Sequence, residues 1–320
     1  MLTVLSVGYP LAPVGRDTAG GAEQVLAQID VALVTAGHRS IVIGGHGSRG
    51  SGLVVELPPA PRPLNETVRA HSRACCRSAI LDTLRRHPVD LVHLHGIDFF
   101  DYLPPPGPPA LVTLHLPIDW YPAAALRPGR PDTWFHCVSA GQRRTAPADL
   151  PLLPDIPNGV DAEMLAGRHA RRGFALALGR ICPEKGFHHA LAAAEAAGMP
   201  LLLGGEVFAY SEHEAYFAQE ITPRLGRWRR HLGPVGFARK RRLLNAARCV
   251  LVPSLVAETG SLVATEMQVQ VTNAEVTLTG TVESRAARRR AEEIAEDVGG
   301  VDYVMNNLRV RQPGTSGATG

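Results

Sequence analysis

Two cations five positions apart, Arg180 and Lys185, stand in the run GRICPEKG (179–186), directly after a short apolar segment. Placed at the mouth of a parallel sheet, they could neutralise the charge that builds on a departing diphosphate without a metal ion. Glu258 and Glu266 follow, eight positions apart, with Thr259, Gly260 and Ser261 between them. Carboxylates in that arrangement could accept hydrogen bonds from hydroxyls at the two ends of a sugar nucleotide. Near the start, GGAE (20–23) lies between a strand pattern and a helix pattern. Gly20 and Gly21 would let the backbone approach a ligand closely, and a helix N-terminus there offers free N–H groups to a phosphate or sugar oxygen. His95 and His115 each end an apolar segment; His115 could bond a sugar hydroxyl or a backbone carbonyl. Each group alone has a plainer reading, as a tight turn, a solvated ion pair, a helix cap or a structural histidine.

The surrounding elements decide whether these groups can meet. Residues 2–7 read as a buried strand, followed by a glycine-bearing loop and a helix with Val25, Ile29, Ala32 and Leu33 on one stripe. Gly37 can end that helix, and residues 40–43 form the next strand. Strand, glycine loop, helix, strand opens a Rossmann-like unit. A helix is expected over 68–87 and strands over 89–95, 111–115 and 134–138, which puts both histidines at strand C-termini. A second α/β unit starts near Phe174, with strands at 174–178, 201–203 and 249–252 and helices over 187–197 and up to 247. A further helix is expected from 262 to 267. The texture then changes. Val269, Val271, Val276 and Leu278 alternate as in edge strands around a turn at 273–274. Ser284 can cap a helix with Ala287, Ala291, Ile294 and Val298 on one stripe, and a last strand over 301–310 is expected to break near Asn306.

Composition narrows the class. The 320 residues suffice for two domains and an appendage, 20 % are charged, and the formal net charge of +3 gives no case for nucleic acid. Arg224, Arg227, Arg229 and Arg230, then Arg239, Lys240, Arg241 and Arg242, read as solvated helix faces or as an attraction for a phosphorylated ligand or an anionic membrane. Five cysteines without a CxxC pair suggest neither a disulfide framework nor a structural metal site, so a reducing cytoplasm is expected. No signal peptide or membrane-spanning run is expected, although peripheral contact with the inner membrane stays open.

Taken in order, GGAE, TLH (113–115), Ser139, PNGVD (157–161), GRICPEKG and the run from Pro253 and Ser254 to Glu258 and Glu266 resemble the retaining glycosyltransferases of family 4, with the GT-B fold, over about residues 1–267. The resemblance implies an α/β protein with an acceptor-side Rossmann-like domain over 1–165 and a nucleotide-sugar-binding domain over 166–267. It implies transfer of a hexose from a UDP-, GDP- or ADP-linked donor with retention, by a front-face route, without metal or further cofactor. Gly20 and Gly21 would lie by the donor phosphates, His115 against the donor sugar near the reacting carbon, and Arg180 and Lys185 on the diphosphate. Glu258 would hold sugar hydroxyls, Glu266 the ribose, and the backbone N–H groups of Gly260, Ser261 and Leu262 the phosphates. The catalytic set would be His115, Arg180, Lys185 and Glu258, with Asn158 and Gly159 between the domains. The acceptor, whether small molecule, lipid or glycan, would be met by loops near 9–19, 44–52 and 97–103.

After Glu266 the family pattern continues with a Gly-x-Pro-Val turn, whereas this chain reads MQVQV (267–271), so the second domain is cut short. Residues 268–311 instead resemble the later part of a BON domain, a module associated with envelope and membrane binding, and 312–320 read as a disordered tail. Three functions remain: the glycosyltransferase, a non-catalytic sugar-nucleotide or envelope-binding protein made by truncation and fusion, and a nucleotide-sugar epimerase. GGAE with the paired glutamates favours the first.

Overall fold

The computed structural model describes residues 1–254, 267–272, 275–282, 285–296 and 303–310. The chain divides into two units, residues 1–254 and 255–320. The first half of unit 1 runs β1 (Thr3–Val7), α1 (Gly21–Thr35), β2 (Arg39–Gly44), β3 (Leu53–Glu56), α2 (Glu66–Arg86), β4 (Leu91–Leu94), β5 (Ala110–Leu114), β6 (Thr133–Cys137), α3 (Ala140–Thr145) and α4 (Ala162–Leu165). Its six strands lie in the order β3-β2-β1-β4-β5-β6, all parallel. That is a doubly wound order, which reverses between β1 and β4 and leaves a crevice at the strand C-termini. Every residue of β1 is buried, as expected of a strand covered on both faces. Leu5, Val7, Ile41, Ile43, Leu94, Leu114 and Phe135 pack against Cys76 and Ile80 of α2. Asp30, buried within α1, accepts the amides of Ser51 at 2.5 Å and Gly52 at 3.2 Å, fixing the turn before β3.

The second half holds β7 (Ala175–Leu178), α5 (Phe187–Ala196), β8 (Leu201–Gly204), α6 (Ser211–Tyr216), β9 (Arg229–His231), α7 (Phe237–Ala246) and β10 (Cys249–Val250). Its order is β10-β7-β8-β9, again all parallel. Counting from β7, this is the 3-2-1-4 part of the order in the first sheet, so its reversal falls between β7 and β10. The strand β9 corrects the reading of Arg229 and Arg230 as a helix face. As an edge strand it tolerates charge, and Arg229 pairs with Glu195 at 3.0 Å.

The halves meet through polar contacts. The carboxylate of Asp17 accepts the amide of Phe237 at the start of α7, the hydroxyls of Tyr9 and Tyr210 lie 3.2 Å apart, and Lys240 donates to Gln24 at 3.4 Å. The connecting chain belongs to the second half from Leu165 onward. Asn245 donates to the Leu165 carbonyl at 2.8 Å, Arg241 to the Ala166 carbonyl at 2.6 Å, and the Arg172 amide to the Ala246 carbonyl at 2.7 Å. On the other side, the Ile156 amide donates to the Cys137 carbonyl at 3.1 Å.

In unit 2, β11 (Met267–Thr272) pairs antiparallel with β12 (Glu275–Val282), which leads through α8 (Arg285–Glu296) to β13 (Tyr303–Val310), parallel to β12. Val276, Leu278, Val282, Ala291, Ala295, Val304 and Leu308 form its core. Met267 starts a strand rather than closing a helix, because its register partner on β12 is Gly280. Nor does β13 break at Asn306: the ladder with β12 is continuous, and the Asn306 amide nitrogen donates to the Arg288 carbonyl at 2.9 Å and to Glu292 at 3.0 Å. Ser284, Val298 and residues 312–320 lie outside the described residues. Among the described residues, no helix is long and apolar enough to cross a membrane.

Candidate functional site

The N-terminus of α1 forms one wall of the site. Gly20, extended at φ −88°, precedes the helix without a side-chain cap. A Cβ on Gly20 would fall 1.7 Å from Oε2 of Glu23, so any larger residue would displace that carboxylate from its present position. A Cβ on Gly21 would meet nothing within 4 Å, and the helix end is open to approach there. Glu23 is 7 % exposed. Burial raises its pKa, while its own backbone N–H and the charge of Arg180 pull the other way. The charge of Arg180, in the second half of the unit, thus reaches the first turn of α1.

Arg180 directly follows the Gly179 that ends β7. It is half-buried, its guanidinium lies 5.5 Å from the Phe208 ring centroid, and its Nε is buried without a hydrogen-bond partner. Lys185 is exposed on the 3-10 turn Pro183–Lys185, and its ammonium group makes no hydrogen bond or ion pair with the described residues. Gly186, at φ +59°, turns the chain into α5; a Cβ there would lie 2.1 Å from the Pro253 carbonyl oxygen. The Ser254 hydroxyl donates to the Glu184 carbonyl at 3.2 Å. The segments after β7 and β10 are thus interlocked where the strand order reverses, the crevice in which α/β sheets of this type bind ligands.

The first sheet supplies a ladder of imidazoles. His93 and His136 each bond the Thr113 hydroxyl, at 2.7 and 2.6 Å. His95 Nδ1 lies 2.9 Å from His115 Nε2, and the His93 and His95 ring centroids are 4.0 Å apart. Burial, with the neighbouring imidazoles, pushes His93 down to about 3 and His95 far below its ordinary value; burial and His136 lower His115 to about 4. All three are neutral at pH 7. His95 Nε2 is buried without a partner. A bare acceptor costs less there than an orphaned N–H, so His95 carries its proton on Nδ1 and donates it to His115 Nε2. His115 then carries its own proton on Nδ1, as a donor. The Tyr121 hydroxyl accepts the Leu116 amide at 3.3 Å, which steadies the loop.

Arg180 acts electrostatically on Glu23, in the first turn of α1 after Gly20 and Gly21, and Lys185 lies on the same loop as Arg180. His115 stands at the C-terminal end of β5. Glu258, Gly260, Ser261, Leu262 and Glu266 lie outside the described residues. Sequence reasoning missed Glu23 as a buried partner of Arg180, although it belongs to GGAE. It also missed the coupling of His93, Thr113 and His136. Polar residues of matching parity on adjacent strands were its only signal, since Thr113 and His136 are register partners.

A family model for the BON domain matches residues 251–312, a span that includes Glu258 and Glu266. No curated protein matches the chain. Among solved structures it is similar to AviGT4, a glycosyltransferase involved in avilamycin A biosynthesis, with 28 % identity over 80 % of this chain and 71 % of that one, at a TM-score of 0.54. Sucrose-phosphate synthase from Thermosynechococcus elongatus shares 18 % identity over 82 % of this chain and 78 % of that one, at 0.62. Anabaena HepE, solved with UDP-glucose, shares 17 % over 82 % and 77 %, at 0.57. The chain joins a GT-B-type, glycosyltransferase-like unit to a BON domain. The last two likenesses show the fold; the likeness to AviGT4 supports a sugar-transfer function in general terms.

Proposed function

We propose that the protein is a retaining glycosyltransferase of the family 4 type, which moves a hexose from a nucleoside-diphosphate sugar. What supports this reading is Arg180, half-buried with an unpartnered Nε after β7, whose charge acts on the buried Glu23 in the open N-terminal turn of α1. A diphosphate between them would meet a guanidinium on one side and free backbone N–H groups on the other. Fixed donors of this kind stabilise charge as it develops on a leaving group. Lys185, on the same loop, supplies a second cation. His115, neutral, donates from Nδ1 to a donor-sugar hydroxyl without competing for the phosphates. Glu258 would hold the sugar hydroxyls and Glu266 the ribose, with the amides of Gly260, Ser261 and Leu262 at the phosphates. The BON match from residue 251 favours a second reading, in which the same crevice binds a sugar nucleotide without turning it over and the BON segment holds the protein at an envelope surface.

A panel of UDP-, GDP- and ADP-sugars separates the readings. Sugar transfer or donor hydrolysis, reduced about 10²–10³-fold in kcat by Arg180→Met and less by Lys185→Met, is the expected result. Saturable donor binding with no product would sink the transferase and leave the binding protein. An epimerised donor as the only product would mark an epimerase.

A further inference from the structure

Close to Arg180, three side chains converge that the sugar-transfer reading does not use. Cys182 and Glu184 stand on the loop after β7, and His213 stands in α6. The thiol, a carboxylate oxygen and an imidazole nitrogen all lie within 4.8 Å of one another. Cys182 is fully buried and His213 is 8 % exposed. Glu184 Oε2 and His213 Nδ1 are each buried without a hydrogen-bond partner, an arrangement that buried polar atoms rarely keep. Rings of Phe208 and Tyr210 flank His213, with centroids at 6.4 and 5.1 Å.

We propose that Cys182, Glu184 and His213 form a binding site for a thiophilic divalent cation, zinc in the first instance. One sulfur, one nitrogen and one oxygen ligand suit tetrahedral zinc, with the fourth position left to water or another oxygen donor. Burial and the neighbouring Arg180 keep His213 neutral, the form that ligates. Burial opposes ionisation of Glu184, but the neighbouring Cys182 thiol and the charges of His213 and Arg180 hold its pKa below the ordinary value; the thiol itself donates to the Arg180 carbonyl at 3.5 Å. Burial raises the Cys182 thiol, so its proton is released to solvent as the metal–sulfur bond forms. Thiolate and carboxylate then balance the cation. The ion would tie the β7 loop to α6 and fix the base of Arg180. The absence of a CxxC pair hid this set, whose members are brought together only by the fold.

The test is titration of the reduced full-length protein with Co(II). One equivalent should give a thiolate-to-cobalt charge-transfer band that zinc abolishes. X-ray absorption of the wild-type zinc form should show one sulfur among nitrogen and oxygen neighbours. Cys182→Ser should remove the band, and His213→Gln should weaken cobalt binding about tenfold or more. Cys75→Ser, at the half-buried thiol 3.5 Å from His71, should leave the band unchanged. A missing band at stoichiometric cobalt, a band that survives Cys182→Ser or disappears with Cys75→Ser, or an absorption spectrum without sulfur would overturn the site. The wild-type absorption spectrum decides the matter even where a variant fails to fold.

Discussion

Neutral imidazoles buried along β4 and β5 make the fold sensitive to acid. The native pKa of His115, about 4, lies below the roughly 6.5 of an unfolded chain. Unfolded protein therefore takes up the proton first, and stability falls as pH drops from about 6.5 towards 4. For His115 alone the loss is at most about 3 kcal/mol over that window. Urea unfolding between pH 7.5 and 5 should show this decline, and His115→Gln should make it shallower. An unchanged slope would mean that His115 does not titrate in this way. Gly186 is sensitive for steric reasons. Gly186→Ala puts a side chain at φ +59° against the Pro253 carbonyl and should cost about 1–3 kcal/mol in a thermal or urea melt. Gly21→Ala, which meets open space, serves as the comparison and should stay within about 1 kcal/mol.

Among the elements, Asn306 on β13 bridges to α8. Asn306→Ala removes its donations to the Arg288 carbonyl and to Glu292 and should destabilise unit 2 by about 1–2 kcal/mol. Faster amide exchange along β13, with unit 1 unaffected, is the expected sign. The break expected there from the sequence illustrates a limit of local reading: asparagine disfavours strands, and only the partner helix shows where its amide is satisfied. Elements with strong apolar periodicity were legible, among them β1, α1 and α5 with its Gly198 stop at φ +59°. Strand β9 was not, because three residues reading RRH carry no alternation. In the site, Arg180 and the glycine turn could be placed from sequence because each directly follows or precedes a regular element. The imidazole ladder and the Cys182 cluster could not, since they depend on strand register and on contact between segments some 30 residues apart.

For the molecule as a whole, the two sheets of unit 1 differ in completeness. The first shows all six strands of its order, while the second, among the described residues, shows four and leaves β10 paired only with β7. Ligand capture between the two halves would require them to move against each other, and the hydrogen bonds restrict where. Residues from Leu165 to Arg172 are fastened to α7, and Ile156 to β6. The exposed stretch 157–161 between them is where such a movement would pivot. Amide exchange should be fast at Val160 and slow at Arg172, and a bound donor should slow Val160 selectively. Asn158 and Gly159, placed between the domains by family resemblance, fall in this stretch. Its exposure has a further consequence. A protease that cuts at 158–160 would sever no strand and no core contact, so both lobes would survive the nick intact. Among the described residues they would then be held by Asp17 on Phe237, Tyr9 on Tyr210, the Arg69 guanidinium over the Tyr210 ring and the other contacts across the seam, and a change of solvent could part them.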